Sequence, residues 1–170
     1  MIDPNRDLGS YLEKLAREGQ IKLEITGGTH TWRLLPSPRH QKLIDRIRST
    51  IGPIPGTNYG CGCHHLSDVQ LRFPDGSYKR PDIAIFCVEP PDIDESWAQV
   101  PEAVVEIVSI DYEEKDLSIN PPWYLAQGVK DVLVVDPRAG RAFHHQHGAA
   151  VRALSLPATV DLHCGCRVRL

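Results

Sequence analysis

The stretches PDIAIF at residues 81–86 and AVVEIV at residues 103–108 are short runs of apolar and β-branched residues that predict two buried strands. Each stretch contains one carboxylate: Asp82 begins the first strand, and Glu106 lies inside the second. A charge in a buried strand costs several kcal/mol unless it is paired, hydrogen-bonded or bound to a metal. The two carboxylates therefore need partners in the folded chain.

Helices and strands are predicted on both sides of these two stretches. Apolar residues recur at helical spacing in residues 6–18 and 39–50, and a third helix is predicted within 113–127, where Pro121 and Pro122 must break or restart it. Further strands are predicted at residues 21–25, where apolar and polar residues alternate as in a half-buried strand, and at 69–73, 132–135, 141–145, 150–154 and 159–170. This order predicts an α/β fold with a mixed central β-sheet flanked by helices and extra antiparallel strands.

Length and composition limit the class of protein. The 170 residues correspond to about one domain, which we divide into an N-terminal helix and strand (1–34), a core (35–143) and closing strands (144–170). Hydrophobic residues make up 41% and charged residues 24%, which disfavours a disordered or coiled-coil protein. The net charge of −3 argues against a uniformly basic protein that coats nucleic acid, but not against a nuclease with an acidic, metal-binding face.

The sequence carries no signal for export or membrane insertion. Residues 1–8 are polar and charged, and no later segment approaches the ~18 uninterrupted apolar residues of a membrane span. We therefore expect a cytoplasmic protein with no membrane partner.

Two interpretations of the carboxylate pair follow from the residues alone. Asp82 and Glu106, on neighbouring strands, could converge on one divalent cation, and their hard oxygen ligands suit Mg²⁺ or Mn²⁺. Alternatively, Asp82 caps a turn and Glu106 pairs with a nearby cation such as Arg80 or Lys115.

Several motifs resemble those of a known family, and they occur in the same order. They are SPRHQ at 37–41, DG at 75–76 before RPDIA at 80–84, PEAVVEIVS at 101–109, and Tyr124 followed by GV at 128–129 and VVDP at 134–137. In these stretches, from about Leu35 to Phe143, the chain resembles the Uma family of restriction-endonuclease-like proteins, which belongs to the PD-(D/E)XK nuclease superfamily.

This resemblance implies the nuclease core and a metal-dependent DNA endonuclease that hydrolyses phosphodiester bonds. Asp82 and Glu106 would be its metal-binding carboxylates, with Ile107 as a further ligand. The alternative is a catalytically inactive nuclease fold that binds nucleic acid or protein. A homodimer is expected, because duplex cleavage is often carried out by two protomers.

The chain departs from the family pattern at the catalytic lysine. Relatives usually carry this lysine four residues before the tyrosine, and that position here is Asn120, which has no charge. Lys115, in the same segment, is the candidate substitute, although a solvated lysine at a helix start is the simpler interpretation. His40 could contact a substrate phosphate or the edge of the active site, or it could simply pack at the start of the second helix.

The cysteines suggest a separate hypothesis, a zinc site. Cys61, Cys63, Cys164 and Cys166 form two Cys-x-Cys pairs that could bind Zn²⁺ or could be buried strand cysteines, and Cys87 is expected to be an ordinary core residue. We expect free thiols or metal ligands rather than disulfides, as in a reducing cytosol. The histidines at 144, 145 and 147 are predicted to lie at a hairpin tip.

Overall fold

The computed structural model describes residues 4–18, 20–57, 60–109 and 113–170. The helical elements are α1 (Pro4–Arg17), α2 (Pro38–Arg48), a π-helical turn (Lys115–Ile119) and α3 (Asn120–Ala126). The first strands are β1 (Ile21–Thr26), β2 (Thr29–Leu34), β3 (Gly52–Pro53), β4 (His64–Ser67), β5 (Leu71–Arg72), β6 (Tyr78–Lys79) and β7 (Ile83–Phe86). The remaining strands are β8 (Ala103–Ile107), β9 (Asp131–Asp136), β10 (Arg141–Gln146), β11 (Arg152–Ser155), β12 (Thr159–Asp161) and β13 (Cys166–Arg169).

The central sheet has six strands in the order β11-β10-β9-β8-β7-β4. Strands β8 and β9 are parallel and the other neighbours are antiparallel, so the sheet is mixed, as predicted. Side chains of β7 alternate between its two faces: Ile83 and Ile85 join a core cluster with α2, and Ala84 and Phe86 join a second cluster with Tyr124 of α3. Because both faces are covered, every residue of β7 and β8 is buried.

Two smaller sheets complete the fold. Strands β2-β1-β6-β5 form an antiparallel sheet, and β12-β13-β3 form a third. The contact between β1 and β6 pairs Ile25 with Tyr78, which brings the N-terminal hairpin next to the strand that leads toward Asp82.

Several predicted elements differ from the structure. Strands β2, β3, β4 and β6 were not predicted, β5 has two residues where five were predicted, and β12 and β13 are separated by a turn where one strand was predicted. A half-buried β1 was also predicted, but Lys22 and Glu24 are 3% and 2% exposed, because each has charged partners inside the protein. His144 is likewise buried in β10 rather than exposed at a hairpin tip.

The prediction for the third helix is confirmed. Proline has no N–H to donate, and Pro121 and Pro122 lie in the first turn of α3, where intrahelical donors are not needed. The preceding π-helical turn ends with the N–H of Asn120 donating to the carbonyl of Lys115. Gly128 follows α3 with a φ of +99°, the conformation expected of a residue that ends a helix.

Among the described residues, none of the helices combines the length and apolar character needed to cross a bilayer.

Candidate active site

The register of the central sheet places Asp82 and Glu106 opposite each other. Strands β7 and β8 pair Ile83 with Val105, so the next position outward pairs residue 82 with residue 106. Directly opposed residues project their side chains from the same face of a sheet. The carboxylates are therefore neighbours because of strand pairing, although 24 residues separate them in the chain.

Hydrogen bonds join the two carboxylates to each other's strands. The N–H of Asp82 donates to Glu106 Oε2 at 3.4 Å, and the N–H of Ile107 donates to Asp82 Oδ2 at 2.8 Å. Asp82 and Glu106 are 3% and 1% exposed. The pair is thus held rigidly and is almost withdrawn from solvent.

A third carboxylate extends the row of acids. Strands β4 and β7 pair Ser67 with Ile83, so Asp68 follows at the level of Asp82. The ammonium group of Lys22 lies between these two acids, with Nζ 2.8 Å from Asp68 Oδ1 and 3.3 Å from Asp82 Oδ1. Lys22 is 3% exposed, so a buried lysine from β1 neutralises part of the acidic row.

His40 reaches the same site from α2. Ser37 begins this helix, and its side-chain oxygen accepts a hydrogen bond from the N–H of His40 at 3.3 Å, which fixes the first turn. His40 Nε2 lies 3.2 Å from Asp82 Oδ1. Of the two sequence interpretations, the structure supports a position at the edge of the carboxylate site.

Tyr124 supports Glu106 from the opposite side. Its hydroxyl donates to Glu106 Oε1 at 2.7 Å, and its ring is fully buried. Phe73 and Trp123 pack against this ring, with centroid distances of 5.8 and 5.2 Å. The aromatic packing therefore orients a hydrogen-bond donor toward the carboxylate.

A second cluster of buried charges surrounds Asn120. Lys79 Nζ lies 3.3 Å from Asn120 Oδ1 and 3.3 Å from Glu24 Oε2. Lys115, the predicted substitute for the catalytic lysine, has its Nζ 2.7 Å from the same oxygen of Glu24. Lys79 also lies over the Trp123 ring, 5.0 Å from its centroid. A lysine from β6 thus contacts Asn120, the position at which the resemblance implied a catalytic lysine.

Arg80 and Lys115, the two cations that the alternative interpretation pairs with Glu106, each contact another acid. Arg80 Nη2 lies 3.4 Å from Asp68 Oδ2, and Lys115 contacts Glu24. Asp45, an acid of α2, has a largely exposed side chain 4.0 Å from Arg48.

The donor chemistry fits a hard divalent cation. Carboxylate oxygens of Asp82 and Glu106 are the ligands such ions prefer, and Ile107 could contribute only its main-chain carbonyl, which accepts a long hydrogen bond from the Ser109 hydroxyl at 3.5 Å. Among the described residues, only cysteines bring three potential ligand atoms within 4.8 Å of one another, so Asp82 and Glu106 would need oxygens from water or substrate to complete a shell. Lys22 would compete with an ion for Asp82.

Another buried carboxylate lies in the same sheet, at the start of β9. Asp131 accepts from Gln146 Nε2 at 2.8 Å and from the N–H of His163 at 2.8 Å, and it contacts His144 Nε2 at 2.7 Å. Burial raises the pKa of Asp131, but the hydrogen bonds from His144, His163 and Gln146 outweigh it and hold the pKa below the ordinary value.

The cysteines are disulfide-bonded, which corrects the expectation of free thiols. Cys61 is bonded to Cys87 and Cys63 to Cys166, while Cys164 is a buried free cysteine. Cys87 is therefore not an ordinary core residue. The Cys-x-Cys pairs also do not lie within strands: Cys63 precedes β4 with a φ of +51°, and Cys164 lies in the turn before β13.

Sequence reasoning missed Lys22, Glu24, Asp68 and Lys79. In β1 the alternation of Ile21, Leu23 and Ile25 made the intervening residues look solvent-exposed. The signal that could have found two of them is the sequence Lys22-Leu23-Glu24, because opposite charges two residues apart in a strand share one face. Nothing local marks the other two.

Comparison with known proteins agrees with this fold. Residues 10–164 match the family described as "Uma2: Putative restriction endonuclease". The chain belongs to the Uma2 family. One solved structure, a putative nuclease belonging to DUF820 from Anabaena variabilis, aligns with a TM-score of 0.60 and 17% identity over 81% of this chain and 79% of that one. At this identity the likeness shows the fold alone. No curated protein matches the chain.

Proposed function

We propose that this Uma2 protein is a divalent-metal-dependent DNA endonuclease, in which Asp82 and Glu106, with the carbonyl of Ile107, hold Mg²⁺ or Mn²⁺. The observation that carries the proposal is the strand register, in which the two buried carboxylates are neighbours on one face of the sheet. Burying two carboxylates together is costly, and a shared cation would offset that cost. Family membership adds DNA as the expected substrate class.

The protein groups around the pair have separable roles in this proposal. A bound divalent ion would polarise a phosphate oxygen and lower the pKa of an attacking water. The Tyr124 hydroxyl and the N–H of Ile107 orient Glu106 and Asp82 through hydrogen bonds of 2.7 and 2.8 Å. His40, 3.2 Å from Asp82, is positioned to contact a phosphate entering at this edge.

Lys79 joins Lys115 as a candidate for the positive charge that Asn120 cannot provide. Its support is the contact of 3.3 Å with Asn120 Oδ1, whereas Lys115 is held through Glu24. A cation there would stabilise the charge that develops on the phosphate during attack.

Three further features of the proposal rest on the sequence. We propose one nuclease domain over residues 1–170, a cytoplasmic location, and a homodimer in which each protomer cleaves one DNA strand.

An inactive nuclease fold is the second candidate function, and Lys22 favours it. Its ammonium group already bridges Asp68 and Asp82, where it supplies one of the charges that a metal would bring. In that case the domain would bind nucleic acid or protein without cleaving it.

Metal-dependent cleavage of plasmid DNA distinguishes the two functions. We expect nicking in Mg²⁺ or Mn²⁺ that stops with chelator and falls by at least about 100-fold in Asp82→Asn and Glu106→Gln. Asp92→Asn, which removes an exposed acid in the loop before β8, is the matched control and should cleave normally. Absence of both cleavage and calorimetric Mg²⁺ or Mn²⁺ binding in the folded wild type would overturn the endonuclease proposal; normal cleavage by Asp82→Asn would overturn the assigned site.

A further inference from the structure

The five cysteines gather in one place, although they come from three separate segments. They are Cys61 and Cys63 before β4, Cys87 after β7, and Cys164 and Cys166 at the turn into β13. The sulfurs of Cys61, Cys63 and Cys166 lie within 4.8 Å of one another, and so do those of Cys61, Cys87 and Cys164. Cys61 belongs to both groups, so together they form a single sulfur cluster.

Four of these sulfurs belong to two disulfides that lie in contact. The disulfide of Cys61 with Cys87 touches that of Cys63 with Cys166, because Cys61 Sγ lies 3.5 Å from Cys166 Sγ. Zinc held by four thiolates at about 2.3 Å requires sulfurs roughly 3.8 Å apart along the edges of a tetrahedron. Cys61, Cys63 and Cys166 already lie within 4.8 Å of one another, and Cys87 lies within that distance of Cys61. Once the disulfides are reduced, a movement of the Cys87 side chain toward Cys63 and Cys166 would complete the tetrahedron.

The surroundings match those of a closed structural metal site. Cys166 is fully buried and Cys63 is 5% exposed, and both belong to the core cluster that contains Ile85 and Val168. The sulfur cluster is separate from the carboxylate site, because Asp82 precedes β7 and Cys87 follows it, five residues and roughly 16 Å of extended chain away. A metal here would bind for structure, not for phosphate chemistry.

We propose that the reduced chain binds one Zn²⁺ through Cys61, Cys63, Cys87 and Cys166, with Cys164 as a neighbouring thiol outside the ligand set. Thiolates, and not disulfide sulfurs, ligate zinc, so the disulfide-bonded and zinc-bound forms exclude each other. The zinc would connect the segment before β4, the end of β7 and the C-terminal sheet, which are separated by up to 105 residues in sequence.

Conversion between the two forms is a balanced oxidation. Each pair of thiolates forms one S–S bond and gives two electrons to an azo oxidant such as diamide, which takes up two protons and becomes the hydrazine. Two such reactions consume the four ligands and release Zn²⁺.

Elemental analysis of protein purified under reducing conditions tests the proposal on the wild-type chain. We expect about one zinc per chain, bands of tetrahedral cobalt thiolate after replacement with Co²⁺, and release of the metal when diamide forms the two disulfides. Removal of zinc by chelator should lower the melting temperature of the reduced protein. A fully reduced wild type, with five alkylatable thiols, that binds neither zinc nor cobalt would overturn the proposal without reference to any variant or to DNA cleavage.

Cysteine variants test the ligand set. Cys63→Ser and Cys166→Ser should lose zinc, whereas Cys164→Ser, which removes the fifth thiol of the same cluster, should retain about one zinc per chain. Loss of zinc in Cys164→Ser with retention in Cys87→Ser would overturn the assignment of Cys87 as the fourth ligand. Where a variant does not fold, the wild-type cobalt spectrum and the diamide titration still decide whether zinc binds.

Discussion

The central sheet contains two buried carboxylate sites that are neutralised in different ways. Asp131 has hydrogen bonds from Gln146 and His163 and a 2.7 Å contact with His144, so its charge is dispersed over several donors. Asp82 instead faces Glu106 across the strand pair and has Asp68 on its other side, with Lys22 between two of these acids. Concentrating like charges opposes folding, whereas a carboxylate surrounded by donors stabilises it.

The difference between the Asp131 and Asp82 sites shows that burial alone does not identify a functional acid. Asp131 is as buried as Glu106, but hydrogen-bond donors hold it in place and we interpret it as structural. We propose that the acidic row of Asp68, Asp82 and Glu106, with Lys22, accommodates a change of charge, as metal binding or phosphate attack would require.

Removal of the Asp131 carboxylate should produce the largest loss of stability. Asp131→Ala removes the acceptor of buried His144 and of the part-buried donors from Gln146 and His163, which should cost about 3 kcal/mol in urea unfolding. The control is Asp161→Ala, which breaks an exposed bidentate ion pair with Arg167 and should change stability far less. Equal losses in the two variants would contradict a structural role for Asp131.

The second prediction concerns Asn120 and Lys79. Asn120→Lys adds a third ammonium group to the cluster that already holds Lys79 and Lys115, and it should destabilise the protein by about 2 kcal/mol. Adding Lys79→Met should restore most of that loss, because the cluster then again holds two ammonium groups, as it does in the wild type with Lys79 and Lys115. If Lys79 provides the missing charge, Lys79→Met alone should slow DNA cleavage by at least about 10-fold, and the double variant should recover it.

Lys130→Met provides the matched control for these lysine variants. Lys130 is half exposed and pairs with Glu102 outside the carboxylate row, so its removal should leave cleavage unchanged. Cleavage by Lys79→Met at the wild-type rate, or an Asn120→Lys variant as stable as wild type, would argue against the role of Lys79.

The smallest expected effect is the acid dependence of the Asp131 site. Because its pKa is lowered below the ordinary value of 3.8, the charged carboxylate stabilises the fold above that pH, and this contribution is lost as the pH falls below about 4 through the lowered pKa. Melting temperatures measured between about pH 5 and pH 3 should therefore fall more steeply for wild type than for Asp131→Asn. Parallel curves would show that other carboxyls determine the acid sensitivity.

Local pattern was enough to predict the central elements of the fold. The runs at residues 83–86 and 132–135 are strands because continuous apolar residues require burial on both faces. Helix α2 begins at Ser37-Pro38 because both residues favour a helix start. Very short strands were missed, since two residues such as Tyr78 and Lys79 carry no periodicity.

Part of the candidate site could also be predicted from the sequence. Asp82 and Glu106 stand out because an acid within an apolar run is anomalous wherever the chain folds. Lys22 and Lys79 could not be found in this way, because they reach the site only through the long-range pairing of β1 with β6. Disulfide connectivity could not be predicted from the sequence for a similar reason, because the spacing of cysteines does not determine which of them pair.

The sequence by itself determined the mixed α/β class, the order of the main elements and the two anomalous carboxylates, because periodicity and burial act over neighbouring residues. Only the tertiary structure decided that Lys22 lies between Asp68 and Asp82, that Lys79 contacts Asn120, and that the five cysteines share one cluster. Those arrangements depend on which strands pair and in which register, and a change of one residue in register would turn the strand residues Lys22 and Lys79 to the opposite face.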